Sequence, residues 1–214
     1  MASPRLTVSI EQVKRYHAAY DGSGRNAWRE LVLATPGGVD LSQVEHRRAV
    51  HRFLNRWGCR LKNTDGPNES AAAQALQIWW SSHSGEMRSL LSTDITYLND
   101  LEIETAADLY WRLRLQKAGP RRRVGPVTAA KVFLALGPRT FPAWDTRIAR
   151  VLYGGIGRDM YRDHLLQSKT WASDMTAHHW PELKLLMNDE SRIQVAKLID
   201  ECLYGQLTRP APKI

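Results

Sequence analysis

Apolar positions along this chain recur at intervals of three and four, the spacing that gives a helix one buried face. In LSQVEHRRAVHRFLNRWG, Val50, Phe53, Leu54 and Trp57 fall at i, i+3, i+4 and i+7, and Val195, Leu198, Ile199 and Cys202 repeat that spacing near the other end. Helical patterns also cover residues 8–20, 25–34, 69–82, 105–118, 127–136, 145–153 and 158–168. Between them stand Pro36-Gly37-Gly38, Asp65-Gly66-Pro67, Gly119-Pro120, Gly137-Pro138 and Gly154-Gly155, which break helices. No run of alternating β-branched residues is long enough to predict a strand. The expected fold class is all-α, without internal repeats or low-complexity linkers. Gly22-Ser23-Gly24 and Pro36-Gly37-Gly38 read as turns, and neither is a phosphate loop, because no Lys-Ser/Thr follows them. Residues 1–6 carry no periodicity and 209–214 carry two prolines, so both read as tails.

Composition narrows the class. With 214 residues, 43% hydrophobic and 24% charged, the chain is long enough for a real core and has an ordinary globular make-up. No stretch reaches the roughly 18 uninterrupted apolar residues of a membrane span, so no membrane partner is expected. MASPRLTVSIEQ lacks the apolar core of a secretory signal. Cys59 and Cys202 are too few for a disulfide framework or a four-thiolate cluster, and they read as core residues. A cytoplasmic protein with reduced thiols and no cofactor is the expectation.

Charge changes the picture more. The chain carries a net +8, but residues 112–150 hold ten basic residues and one acid, Asp145. That is +9 locally, so the remainder nets −1. A solvated face ordinarily mixes signs, whereas a single-sign surface suits a polyanion whose phosphates release counterions on contact. Nucleic acid is the expected partner, and an acidic protein is the rival.

The basic segment is also the most patterned one: TAADLYWRLRLQKAGPRRRVGPVTAAKVFLALGPRTFPAWDTRIARVL. A helix ends at Gly119-Pro120, a turn carries Arg121-Arg122-Arg123-Val124-Gly125, and a second helix starts at Pro126, a good first-turn residue. Backbone N–H groups at such a start suit a phosphate. A loop then delivers Phe141-Pro142-Ala143-Trp144-Asp145 to a third helix. In these residues the chain resembles the helix-hairpin-helix DNA glycosylases, the superfamily of endonuclease III, the adenine glycosylase acting at mispairs, and the 8-oxoguanine and alkyladenine glycosylases. Their hairpin has the form Leu-Pro-Gly-Val-Gly-x-x-Thr-Ala, followed by a proline-bearing loop ending in Val-Asp-Thr. Here Val124-Gly125-Pro126-Val127-Thr128-Ala129 and Trp144-Asp145-Thr146 match it, and Val127, at the place of the lyase lysine, lies 18 residues before Asp145. The resemblance covers about residues 105–153 of the chain.

The resemblance implies two helical lobes, with residues 40–160 bearing the hairpin and residues 1–39 with 161–208 forming the second, acting as a monomer on duplex DNA with a flipped nucleotide. It implies a monofunctional glycosylase, because Val127 cannot form a Schiff base; Lys131, one turn further, reads as a surface or phosphate-contacting lysine. Breaking an N-glycosidic bond builds positive charge on the sugar, which a carboxylate facing C1′ stabilises while orienting water. Asp145 is the expected carboxylate, and it also reads as the N-cap of TRIARVL. Arg121, Arg122, Arg123, Val124, Gly125, Val127, Thr128 and Arg147 are the expected DNA contacts. Arg121-Arg122-Arg123 replaces the usual Leu-Pro-Gly.

A flipped base needs aromatic walls and polar groups at its edge. Among eight tryptophans, Trp144 beside Asp145 is the first candidate, with Trp79, Trp80, His178 and His179 after it. His178 and His179 lack a His-x-x-x-His or Cys-x-x-Cys partner, so no metal is expected. Repair of damaged bases and attack on modified bases in foreign DNA are both open. The rivals are a non-catalytic hairpin module and a scaffold for an acidic protein.

Overall fold

The structure is a computed structural model that describes residues 6–20, 22–61, 69–188 and 191–208, with the backbone alone at 22–24. These residues form ten α-helices in the order α1 (Ile10–Ala19), α2 (Gly22–Ala34), α3 (Val44–Arg56), α4 (Ala71–Leu91), α5 (Asp100–Leu115), α6 (Pro126–Leu136), α7 (Thr146–Tyr153), α8 (Arg158–His178), α9 (Trp180–Leu186) and α10 (Val195–Thr208). A 3-10 turn, Ile95–Tyr97, precedes α5, and no strand occurs among the described residues. The all-α expectation holds.

Local chemistry explains most helix ends. Ser9 with Gln12, and Asn99 with Glu102, form capping boxes that start α1 and α5, each satisfying two otherwise unpaired N–H groups. The second box starts α5 at Asp100 rather than near 105. α4 and α8 run further than their patterns predict, to 21 residues each. Polar stretches interrupt the period in both, but Met87 and Leu90, then Trp171 and Met175, restore the buried face. Gly22-Ser23-Gly24 is the first turn of α2 rather than a loop turn, because helix formation there is carried by the apolar residues that follow. Asp65-Gly66-Pro67 and the expected tails, Leu6 aside, lie outside the described residues.

Packing radiates from α5, which contacts α4, α6 and α8; α8 in turn contacts α7, α9, α10 and the 3-10 turn. Arg158 clamps α8 to α5 through Glu104 (2.5 Å) and Asp108 (2.6 Å). α2 packs on α3, and α1 on α10. That last contact is so close that a Cβ at Gly205 would collide with the Tyr16 ring. Arg47 of α3 is buried and holds Glu69, before α4, with two parallel bonds of 2.8 Å.

Candidate nucleic-acid interface and active site

Main-chain bonds build the turn between α5 and α6. The Ala118 N–H donates to the Arg122 carbonyl (2.8 Å), Val124 to Gln116 (2.9 Å) and Gly125 to Arg114 (3.1 Å), while Lys117 and Arg123 pair as an isolated bridge. Gly125 then turns the chain into α6 at φ 83°, a conformation that favours glycine. The first turn of α6 has no side-chain cap, and Pro126 has no N–H to satisfy. The N–H groups of Val127 and Thr128 are therefore oriented donors of the kind that bind an anion. Val124 and Thr128 are buried and Val127 is half-buried, so their side chains anchor the turn while their backbone serves it.

The cations of residues 112–150 are mostly exposed, including Arg112, Lys117, Arg121, Arg122, Arg123, Arg147 and Arg150. Among the described residues, Arg139 is the one of the ten that pairs with a carboxylate, Asp94 at 3.8 Å. Three others are engaged without a carboxylate ion pair, although Lys131 also lies close enough to Asp200 to pull its carboxyl pKa down. Arg122 donates to the Cys59 and Arg60 carbonyls, tying the turn between α5 and α6 to the end of α3. Arg114 lies 4.2 Å from the centre of the Trp111 ring. Lys131 donates to the Trp57 carbonyl and is half-buried, so it is a structural lysine rather than the surface lysine its position suggests.

Asp145 emerges from a buried stretch, Phe141 to Trp144, and is itself half-buried. Its Oδ1 accepts from the N–H groups of Arg147 and Ile148, both at 2.8 Å, and so caps α7. Oδ2 makes no hydrogen bond among the described residues. One oxygen thus holds the carboxylate in place and leaves the other to act. Behind it, the Trp144 ring stacks on His164 at 5.3 Å and meets Tyr161 and Tyr110 edge-on at 5.3 and 6.0 Å. The Tyr153 hydroxyl pairs with His164 Nδ1 (3.1 Å), and Nε2 faces the Ala143 carbonyl (3.3 Å). Burial pushes the His164 pKa down to about 4. The ring is therefore neutral, with Nε2–H donating to Ala143 and Nδ1 accepting from Tyr153. Phe133 of α6 touches Phe141, Tyr110 and Tyr161, so α6 and the Asp145 loop share one aromatic core.

The tryptophans expected at a base pocket face inward, and Trp79 meets Phe133 of the same aromatic core at 5.8 Å. Trp144 and Trp79 are fully buried, and Trp80 nearly so. The Trp79 indole donates to the Leu109 carbonyl and that of Trp80 to Asp40. His178 ends α8 and His179 joins it to α9, both near the surface. Fourteen residues separate His178 from His164, about 20 Å along the helix.

A second cluster escaped sequence reasoning. On α10, Lys197 is wholly buried, with Glu201 at 2.8 Å and Asp200 at 3.4 Å; Tyr20, Trp57 and Trp28 rings lie 4.7, 5.0 and 5.5 Å from its ammonium. Glu201 also meets His17 at 2.6 Å. Burial alone would lower the lysine's pKa, but Glu201, Tyr20 and Asp200 outweigh it and hold the lysine charged. Burial raises Asp200 to about 6 against the pull of Lys197, whereas Lys197 overcomes burial at Glu201 and keeps its carboxyl low. The i, i+3, i+4 spacing of these three charges looks like a solvated helix face in sequence.

Among the described residues no group of His, Cys, Asp and Glu could hold a metal ion, and no helix is long and apolar enough to cross a membrane. No protein-family model, curated protein or solved structure matches the chain.

Proposed function

We propose that this protein is a monofunctional DNA N-glycosylase of the helix-hairpin-helix kind, which flips a damaged or modified nucleotide from a duplex and hydrolyses its glycosidic bond. The observation that carries the reading is Asp145: a half-buried carboxylate with one oxygen fastened and one free, in a segment whose other charges are all cations. The exposed Arg121, Arg123 and Arg147, with the uncapped N–H groups of Val127 and Thr128, grip phosphates on this reading. Positive charge develops on the sugar as the base leaves, and the free Asp145 oxygen stabilises it and orients the attacking water. Val127 offers no amine, and the Lys131 ammonium is engaged at Trp57, so no Schiff base forms and the product is an abasic site. The two lobes, residues 40–160 and residues 1–39 with 161–208, hold the DNA between them.

The test is release of free base from duplexes carrying single damaged or modified bases, with wild type beside Asp145→Asn. Asparagine caps helices as well as aspartate does, so the fold survives. We expect wild type to release one class of base and the variant to lose at least about a hundredfold in rate with DNA affinity retained. Strand scission without alkali would sink the monofunctional assignment. The two cap bonds of Asp145 favour one other reading, a non-catalytic hairpin module that binds DNA. It expects tight, salt-sensitive binding, no release from any duplex, and no effect of Asp145→Asn.

A further inference from the structure

A cavity of about 380 Å³ lies between the 3-10 turn, Arg139 in the loop after α6, α8, α9 and the start of α10. Its volume lies in the range of small-molecule sites. Ile95 and Val195 are buried and form an apolar base to it. At the rim stand Tyr97, 77% exposed, and Trp180, 44% exposed, two large rings left in water that the core does not use. Two cations share that rim. Lys184 lies 5.8 Å from the centre of the Trp180 ring and makes no ion pair among the described residues. Arg139 holds Asp94 only at 3.8 Å, a contact loose enough to exchange for a better anion. Thr96 and Thr176 add hydroxyls to the lining.

Exposed aromatic faces, two cations and one carboxylate in a cavity of this size match the parts of a nucleotide. We propose that the cavity binds a nucleotide, with its base against Trp180 and Tyr97 and its phosphate between Arg139 and Lys184. Asp94, released from Arg139, accepts from an exocyclic amino group, so an amino-bearing base is preferred. Stacking tolerates any base, whereas a carboxylate discriminates among them. The ligand is either a free mononucleotide or one unit of a nucleic-acid strand. The site does not depend on the glycosylase reading, since Asp145 takes no part in it.

Titration calorimetry of the full chain with adenosine monophosphate, inosine monophosphate and a single-stranded deoxyadenosine hexamer tests it. Wild type is run beside Trp180→Ala and Arg139→Gln, with thermal melts to check that these exposed substitutions leave the fold intact. We expect adenosine monophosphate to bind more tightly than inosine monophosphate, and each substitution to weaken it at least about fivefold. Binding of the hexamer alone, with the same losses, assigns the site to a strand. Failure of both adenine ligands to bind, or affinities that both substitutions leave unchanged, would overturn the proposal. Hexamer binding indifferent to both belongs to the basic segment and counts against it.

Discussion

Around Trp144 the protein buries a histidine and two tyrosines with no charge among them; around Lys197 it buries an ammonium and two carboxyl groups. Both regions are rich in aromatic rings, so the rings do not explain the difference. The number of counter-charges does. His164 has a hydroxyl and a carbonyl for partners, and desolvation therefore makes it neutral. Lys197 has two carboxyl groups within 3.4 Å, and the mutual attraction outweighs desolvation. The neutral region packs behind Asp145; the charged one joins α10 to His17 of α1, Trp28 of α2 and the residues that end α1 and α3, Tyr20 and Trp57.

Breaking the charged region carries the largest expected effect. Lys197→Met leaves Asp200 buried without its ion-pair partner and Glu201 with His17 alone, and urea unfolding is expected to show a loss of about 3–5 kcal/mol. Adding Glu201→Gln to it should recover part of that loss. Recovery of nothing would mean that an unpaired Glu201 carboxylate is not the source of the loss.

One group from each region, His164 and Asp200, responds to pH with opposite sign. The unfolded chain protonates His164 near its ordinary 6.5 while the folded chain resists until about 4, so its contribution is lost as pH falls from 6.5 to 4. At full extent this is about 3 kcal/mol. Asp200 keeps its proton up to about 6 when folded but only to about 4 when unfolded, so its contribution grows over nearly the same descent. These two contributions should therefore partly offset each other in the stability of wild type between pH 6.5 and 4. His164→Gln should tilt the pH dependence towards greater stability at low pH, and Asp200→Asn the other way, as read by denaturant midpoints across that range. Parallel curves for all three proteins would refute the comparison.

The smallest effect separates two indoles. The Trp144 N–H, like the Tyr110 and Tyr161 hydroxyls, finds no partner of good geometry among the described residues, whereas that of Trp79 donates to Leu109. Substitution by phenylalanine removes similar volume from each. Trp79→Phe should cost about 1 kcal/mol more in thermal or urea unfolding, the net worth of one buried hydrogen bond plus the carbonyl left without it.

Much of this was open to a reading of the chain alone. Apolar spacing marked α3, α6 and α10, and Gly125-Pro126 marked the start of α6 and its uncapped N–H groups. Asp145 was visible both as a helix cap and as the one acid among cations. Those features depend on neighbours within a helical turn or two, which sequence order preserves. The second half of α8 and the whole of α9 were not legible, because their buried faces are defined by helices far away in the chain. Nor was the fate of individual side chains: which of eight tryptophans face inward, that Lys131 is held by Trp57, that Arg122 is tied to the end of α3. The sequence by itself determined an all-helical chain with its positive charge gathered in one segment and a capped aspartate within it. Only the tertiary structure decided that Lys197 lies charged in the interior and His164 neutral. The counter-charges of Lys197 are its own helical neighbours, but the rings that bury it, Tyr20, Trp28 and Trp57, lie more than a hundred positions away, and the neighbours of His164 come from other helices and loops; local spacing carries no trace of that burial.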